Sequence, residues 1–228
     1  MPTVLVVTEL TKLFGTRPVI EQLSFSISKG ERITLFAPSG AGKSTLINIL
    51  SQIDTVFHGE FKVSAQNPAT IFQEPRLFSY MTIQENIFFP LRVRQIPVTP
   101  LIKDQYEEWL EVCDLSSYSQ HYPFQISGGM KQKVSLIRSF LMQPDFVMMD
   151  EPFKSIDIAS KKRIIQHILQ HYPDITLLLV THNLDEIPLL TTSLLMFHTN
   201  FLAEFTEYSD ISTNSLSKIF SHLFEDFT

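Results

Sequence analysis

The segment from Ala37 to Ser44, with the sequence APSGAGKS, constrains this chain more than any other. It fits the phosphate-binding loop pattern, in which backbone N–H groups cradle phosphates, a lysine reaches the β and γ phosphates, and a hydroxyl group binds Mg²⁺. Lys43 and Ser44 stand at the last two of these positions. Ala37 stands where the pattern usually has its first glycine. The segment therefore predicts a nucleotide phosphate site.

The flanking sequence supplies the context that such a loop needs. Residues 31–37 have the composition of a buried strand, and apolar residues recur at helical spacing after the loop. A helix that starts directly after the loop points its N-terminus, which favours anions, at the phosphates. A plain glycine and serine turn is the alternative, but it does not explain Lys43 and Ser44 at the helix entrance. The apolar helical residues are Leu46, Ile47, Ile49, Leu50 and Ile53.

Two adjacent carboxylates, Asp150 and Glu151, follow a second apolar segment, residues 146–149. Ligands of open α/β sheets gather at the carboxyl ends of strands, so Mg²⁺ is expected here. Phosphoryl chemistry needs one carboxylate to hold the metal through water and another to orient or deprotonate the attacking water. We assign the first role to Asp150 and the second to Glu151. The alternative is a solvated acidic turn that leads to Pro152.

Two further polar residues follow apolar segments in the same way. His182 comes after residues 176–180, and Gln73 comes after residues 70–72. Each alone is more often an ordinary structural residue than a functional one, and both gain weight only from their order along the chain. In that order, His182 is placed to donate a hydrogen bond to the γ phosphate, and Gln73 to contact Mg²⁺ or the attacking water.

Ser127, Gly128 and Gly129 precede an amphipathic helical pattern over residues 130–142. Serine is a good helix N-cap, and two glycines let backbone N–H groups approach an anion closely. The alternative is a simple cap. The chain already has one phosphate loop. It needs a second anion-binding helix start only if the loop of one subunit and the helix start of another subunit bind the same nucleotide.

Composition and charge narrow the range of partners. The 228 residues carry a net charge of −6, and the 18 Lys and Arg are spread along the chain, so there is no basic stripe and no nucleic acid is expected. The single Cys113 cannot form an internal disulfide, and the N-terminus has no signal-peptide pattern, which favours the cytosol. No apolar run approaches the ~20 residues that span a bilayer. Any link to a membrane is expected to come through a partner.

The spacing of apolar residues predicts a single domain over residues 1–228 that contains an inserted part. Strand-like segments at 3–10 and 23–28 indicate a small antiparallel sheet near the N-terminus. Helical patterns at 83–94 and 101–113, with no convincing strand around them, indicate a helical insertion. The expected limits are about 1–81 and 143–228 for an α/β core, about 82–142 for the helical subdomain, and 215–227 for a closing amphipathic helix.

Together, these motifs resemble the ATP-binding subunits of ABC transporters over residues 5–197. The sequence ISGGM at 126–130 looks like the family signature, Gln73 like its Q-loop residue, His182 like its switch histidine and residues 155–157 like its D-loop. The most similar members are importers of the nitrate, sulfonate and taurine type. The resemblance implies an α/β fold, a P-loop NTPase core with an N-terminal antiparallel β subdomain and an inserted α-helical subdomain.

The resemblance also implies a role for each candidate residue. An aromatic residue near the N-terminus packs on adenine, and Phe14 fits that position unless it is an ordinary core residue. Lys154 and Ser155 replace the small pair that is usual before Asp157, near the expected dimer seam. The expected nucleotide contacts are Phe14, Ser39, Gly40, Ala41, Gly42, Lys43, Ser44, Thr45, Ser127, Gly128, Gly129 and Asp157, the metal ligands are Ser44, Gln73 and Asp150, and the catalytic residues are Glu151, His182 and Gln73.

By the same resemblance, two copies pair head to tail and hold two ATP molecules, each between the phosphate loop of one copy and the signature of the other. The chain is then expected to hydrolyse ATP, with Mg²⁺, as a subunit of a solute importer. The implied partners are integral membrane permease subunits, a second and identical ATPase copy, and a periplasmic or extracellular solute-binding protein. The implied location is peripheral, on the cytoplasmic face of the cell membrane.

Two other functions fit parts of this pattern. One is an ATPase of the same fold that transmits force to cell-envelope processes and moves no solute. The other is a nucleotide-binding regulatory module without turnover. The presence of Lys43, Asp150, Glu151 and His182 argues against the regulatory module.

Overall fold

The computed structural model describes residues 2–225, and the chain divides into two compact units. The first unit takes in the residues up to Ala65, Met148–Asp150, and the residues from Asp174 onward. The second unit takes in Gln66–Val147 and Glu151–Pro173. The subdomain limits expected from the sequence remain a prediction.

An antiparallel sheet of three strands opens the first unit, as the sequence predicts. Its strands are β1 (Thr3–Phe14), β2 (Arg17–Ser28) and β4 (His58–Val63), in the order β2-β1-β4. Both β1 and β2 are longer than the predicted segments, because the two strands continue pairing up to their hairpin. β4 was not predicted, because its sequence HGEFKV lacks a run of apolar residues.

The second sheet of this unit positions the site. β7 (Thr176–Val180) and β8 (Ser193–Phe197) pair in parallel with β3 (Arg32–Phe36), and β9 (Phe205–Tyr208) pairs antiparallel with β8. The strand β6 (Phe146–Asp150), of which Met148–Asp150 belong to this unit, is the neighbour of β7, so the order is β6-β7-β3-β8-β9. β7 and β8 are buried throughout, as expected for parallel strands with both faces covered.

Three helices belong to the first unit: α1 (Lys43–Leu50), α6 (Ile187–Leu190) and α7 (Thr213–Glu225). Leu216 of α7 packs in a cluster with Leu194 and Met196 of β8. The closing helix expected at 215–227 is thus confirmed to Glu225, and the rest of it lies outside the described residues.

The second unit is mainly helical. It contains α2 (Ile83–Val93), α3 (Pro100–Val112), α4 (Gly128–Phe140) and α5 (Ile158–His171), and its strand β5 (Pro68–Ile71) is the neighbour of β6. Residues 82–141, all of which the structure describes, contain no strand, as predicted. Across residues 2–225, no helix combines the length and the apolar composition that crossing a membrane requires.

Candidate nucleotide site

The phosphate loop connects β3 to α1, in the strand, loop and helix order that the motif requires. Gly40 and Gly42 have φ of +78° and +100°, in the left-handed region that favours glycine. At Gly42 a Cβ atom would overlap the side chain of Val19 and lie 2.8 Å from its carbonyl oxygen. Position 42 therefore needs glycine both for its backbone angles and for the space around it.

Lys43 is the first residue of α1, and its side chain turns back to the loop. The residue is 6% exposed, and its Nζ donates hydrogen bonds to the carbonyl oxygens of Ala37 (2.8 Å) and Pro38 (2.9 Å). Ala37 contributes only its carbonyl group and does not have a positive φ, which explains why glycine is not needed there. Ser44 is exposed and Thr45 half-buried at the start of the helix.

Two more candidates leave the same sheet as the phosphate loop. Leu35 of β3 lies opposite Val180 of β7, so the residues after these parallel strands emerge at one edge. His182 is exposed there, and its ring meets the ring of Phe36 edge-on at 6.5 Å. Asp150 ends β6, the neighbour of β7, and is 4% exposed. The first unit thus contains the loop, a buried carboxylate and an exposed imidazole.

Phe14 ends β1 and is 56% exposed, which excludes the alternative of a core residue. Lys12 lies 5.0 Å from the centre of its ring. Lys12 also donates hydrogen bonds to Asp54 (2.8 Å) and to the carbonyl oxygen of Val56 (2.6 Å). The hydrogen bond from Lys12 lowers the pKa of Asp54, so the lysine is held in place by a carboxylate. The exposed ring of Phe14 is available for stacking.

In the second unit, Gln73 and Gly128 line one cavity of about 330 Å³. Gln132 of α4 donates a hydrogen bond to the carbonyl oxygen of Phe72 at 3.3 Å, which fixes the helix next to the residue before Gln73. Two sequence motifs that lie 54 residues apart are therefore neighbours. The rest of the cavity lining is Glu74, Pro75, Lys131, Gln132, Lys154 and Ser155.

The start of α4 has the predicted cap. Ser127 is exposed, and its hydroxyl group accepts a hydrogen bond from the backbone N–H of Met130 at 3.2 Å. A Cβ atom at Gly128 would meet nothing within 4 Å, but at Gly129 it would overlap the carbonyl oxygen of Ser155. The two glycines thus differ: Gly128 lies in open space, and Gly129 is required by close packing.

Asp157 caps α5 by accepting a hydrogen bond from the backbone N–H of Ser160 at 2.9 Å. Hydrogen bonding from Ser160 lowers the pKa of the Asp157 carboxyl group. The hydroxyl of Ser160 in turn accepts a hydrogen bond from Lys133 of α4, at 2.9 Å. Glu151 is half-buried with φ of +48°, and Lys154 is exposed.

Sequence analysis missed two residues that hold the segment after Gln73. Asn86, which is fully buried, donates to the carbonyl oxygens of Phe78 (3.1 Å), Met81 (3.1 Å) and Thr82 (2.9 Å) and accepts from the N–H of Phe78 (2.8 Å). Asn86 lies in line with the apolar residues of α2, and this position is the feature of the sequence that could have identified it as buried. Arg138 donates to the carbonyl oxygen of Pro75 at 2.9 Å, and burial lowers the pKa of Arg138.

Comparison with known sequences agrees with this geometry. The sequence profile of the ABC transporter family matches residues 20–154. An aliphatic sulfonates import ATP-binding protein of Bacillus cereus is 34% identical over 193 residues, which cover 79% of this chain and 75% of the relative. A sulfate/thiosulfate import ATP-binding protein of Pectobacterium atrosepticum is 27% identical, over 95% of this chain and 70% of the relative.

Solved structures share the fold. An ATP-binding subunit of an ABC transporter superposes with a TM-score of 0.81, at 21% identity, over 96% of this chain and all of that one. A dimeric ATP-binding cassette with bound ADP and phosphate gives a TM-score of 0.79, at 22% identity, over 91% of this chain and 99% of that one. The predicted P-loop NTPase architecture, with an antiparallel β subdomain and inserted helices, is confirmed.

Proposed function

This chain belongs to the ABC transporter family, and we propose that it is the ATP-hydrolysing subunit of an importer that acts through membrane-embedded partners. The observation that carries the proposal is the phosphate loop: Lys43 is buried at the start of α1, after a loop in which Gly40 and Gly42 have left-handed backbone angles. The same chain contains the acidic pair Asp150 and Glu151 and the helix α4, which Ser127 caps. Relatives with import functions support the direction of transport.

The residues of the first unit fit a nucleotide and its metal ion. A loop of backbone N–H groups with a lysine suits phosphate, and the exposed ring of Phe14 suits adenine. Ser44 and Asp150 of this unit offer oxygen atoms, which are the ligands that Mg²⁺ prefers, and the resemblance to the family adds the side-chain oxygen of Gln73 from the second unit. When bound, Mg²⁺ would neutralise charge on the phosphates.

The chemistry is then assigned to three side chains. Glu151 accepts a proton from the attacking water, because it is a carboxylate beside the metal-binding Asp150. His182 donates a hydrogen bond to the γ phosphate from the exposed edge of the sheet. Gln73 orients the water or contacts Mg²⁺.

A second copy of the chain completes each site in this proposal. Ser127 and Gly128 are exposed at a helix N-terminus, a position that favours anions, and they would face the nucleotide of the partner copy together with Asp157. A solved cassette of the same fold is dimeric with ADP and phosphate bound. Because ATP would bind best to the closed pair, binding favours closure and hydrolysis reverses it.

The proposed assembly places the chain on the cytoplasmic face of a cell membrane, against permease subunits that work with a solute-binding protein. The relatives of Bacillus cereus and Bacillus subtilis, each 34% identical, are named aliphatic sulfonates import ATP-binding proteins. We therefore propose a small organic anion of the sulfonate class as the solute.

Purification of the complex from native membranes tests this function. The expected result is copurification with a permease and a solute-binding protein, and ATP hydrolysis that a sulfonate with its binding protein stimulates. Copurification with cell-wall enzymes and no solute-binding protein would instead assign the chain to cell-envelope processes. An assembled complex that binds ATP without hydrolysing it would contradict the enzymatic proposal.

Docking on the membrane partner is expected to depend on Tyr80 rather than on Phe78. Tyr80 is 71% exposed, whereas Phe78 is half-buried, with its ring 4.6 Å from that of Phe89. Aromatic anchors often dominate an interface, so Tyr80→Ala should weaken copurification of the permease by about 1–3 kcal/mol, roughly 5- to 150-fold.

The paired measurement is the melting temperature of the isolated subunit. Tyr80→Ala should leave it unchanged, whereas Phe78→Ala should lower it, because that substitution removes a packed ring. Full-strength copurification of the permease with Tyr80→Ala would remove this residue from the docking surface.

A further inference from the structure

A cluster of two histidines and a glutamate lies on the helices α3 and α5, both within the second unit. His167 and His171 are four residues apart on α5, so their side chains share one face of the helix. Glu108 of α3 lies opposite them, with its Oε1 3.7 Å from Nδ1 of His167 and 3.2 Å from Nε2 of His171. None of the three belongs to the candidate nucleotide site.

The geometry of the three donor atoms is close to that of a zinc site. Zn²⁺ binds imidazole nitrogen and carboxylate oxygen at about 2.0–2.2 Å in tetrahedral sites, so two ligand atoms lie about 3.3 Å apart. The two distances from Glu108 bracket this value, and all three donor atoms lie within 4.8 Å of one another. The rings of His167 and His171 lie 4.2 Å apart between their centres.

The surroundings favour ligation by His167. Its ring packs edge-on against Trp109, with 4.3 Å between ring centres, and the residue is 8% exposed, so its orientation is fixed. Burial, together with the nearby His171, lowers the pKa of His167, and the neutral imidazole is the form that binds a metal.

Access and charge also suit a cation. The side chains of His171 and Glu108 are 38% and 45% exposed, which leaves the cluster open to solvent. Helix α5 carries three basic residues, but helix α3 carries four acidic ones and a single basic one. Those residues are Asp104, Glu107, Glu108 and Glu111, with Lys103.

We propose that Glu108, His167 and His171 form a binding site for a divalent transition metal ion of the zinc type. Two imidazoles and one carboxylate are a ligand set that zinc uses, with water in the fourth position. Bound there, the ion would join α3 to α5, which are 59 residues apart between Glu108 and His167. The bound ion would therefore add a cross-link within the helical unit.

Zinc titration of the untagged, nucleotide-free chain, after removal of metals with a chelator, tests the proposal. Calorimetry should detect one saturable site, and the melting temperature should rise with ZnCl₂, because a ligand that binds only the folded state stabilises it. His171→Ala and Glu108→Gln should each weaken zinc affinity by roughly 10- to 100-fold or more. The control His58→Ala, an exposed histidine on β4, should bind zinc as the parent does.

Melting temperatures measured in chelator distinguish a metal site from an ion pair that forms without metal. If the cluster binds metal, the melting temperature of His171→Ala should match that of the parent in chelator and fall below it only when zinc is added. If zinc gives no calorimetric signal with the parent, or if His171→Ala and Glu108→Gln bind zinc with parental affinity, the site does not exist.

Discussion

A chain with Glu151→Gln is expected to bind ATP as the parent does and to hydrolyse it about 100- to 10,000-fold more slowly, which is the usual cost of losing a general base. The amide keeps the shape of the carboxylate but cannot accept a proton from water. Both side chains meet the same left-handed backbone, with φ of +48°, so folding should be unaffected. The measurement is single-turnover ATP hydrolysis, with nucleotide affinity and melting temperature measured alongside.

The matched control for this variant is Glu74→Gln, because Glu74 is an exposed carboxylate that lines the same cavity as Gln73. Its turnover should stay within a few-fold of the parent. If Glu151→Gln also turned over ATP near the parental rate, another group would have to accept the proton.

The second large effect is expected from a pair of variants at the two halves of the composite site. Lys43→Ala removes a charged donor, and hydrogen bonds to charged groups contribute about 1.5–3 kcal/mol, so ATP affinity should fall roughly 10-fold or more. Lys29→Ala, at an exposed lysine between β2 and β3, is the control and should leave affinity unchanged.

Ser127→Arg should preserve ATP binding, which Lys43→Ala weakens, and should instead prevent pairing of the two copies. ATP should still bind, because the phosphate loop is intact, but ATP-dependent pairing should fail, because the arginine would fill the space of the partner's γ phosphate. Ser127→Ala separates this effect from loss of the helix cap, which costs about 1 kcal/mol. It should lower the melting temperature slightly and still allow pairing.

Mixing the two defective chains gives the decisive measurement. A mixed pair has one site in which the loop and the signature are both intact, so ATP hydrolysis should partly return. The readout is ATPase activity of pairs whose mixed composition has been verified with two affinity tags. Verified mixed pairs with no activity would contradict a site built from two copies.

The sequence predicted the elements whose pattern does not depend on distant partners. β7 is the predicted segment 176–180, because a strand buried on both faces is continuously apolar. α4 begins at Gly128 rather than at 130, because the cap on Ser127 starts the helix despite two glycines of low helix propensity. β4 is paired with β1 but has polar residues on its exposed side, so its sequence gave no such signal.

The candidate site likewise combines features of short segments with contacts between distant ones. Short motifs predict chemical roles for Lys43, Asp150 and Glu151, but they do not reveal why Gly42 has to be glycine. Gly42 is constrained by Val19, which lies 23 residues away, and Glu108 approaches His167 from a different helix. Contacts of this kind depend on the packing of distant segments, which a single sequence does not reveal.

Gly129 has no room for a side chain, and this limits how the two neighbouring turns can move. Because no side-chain atom fits between this residue and the carbonyl group of Ser155, the first turn of α4 and the turn before Asp157 touch backbone to backbone. A side chain can change its rotamer when a neighbour moves, but a backbone group cannot. A displacement of the 155–157 turn is therefore expected to displace the start of α4 as well.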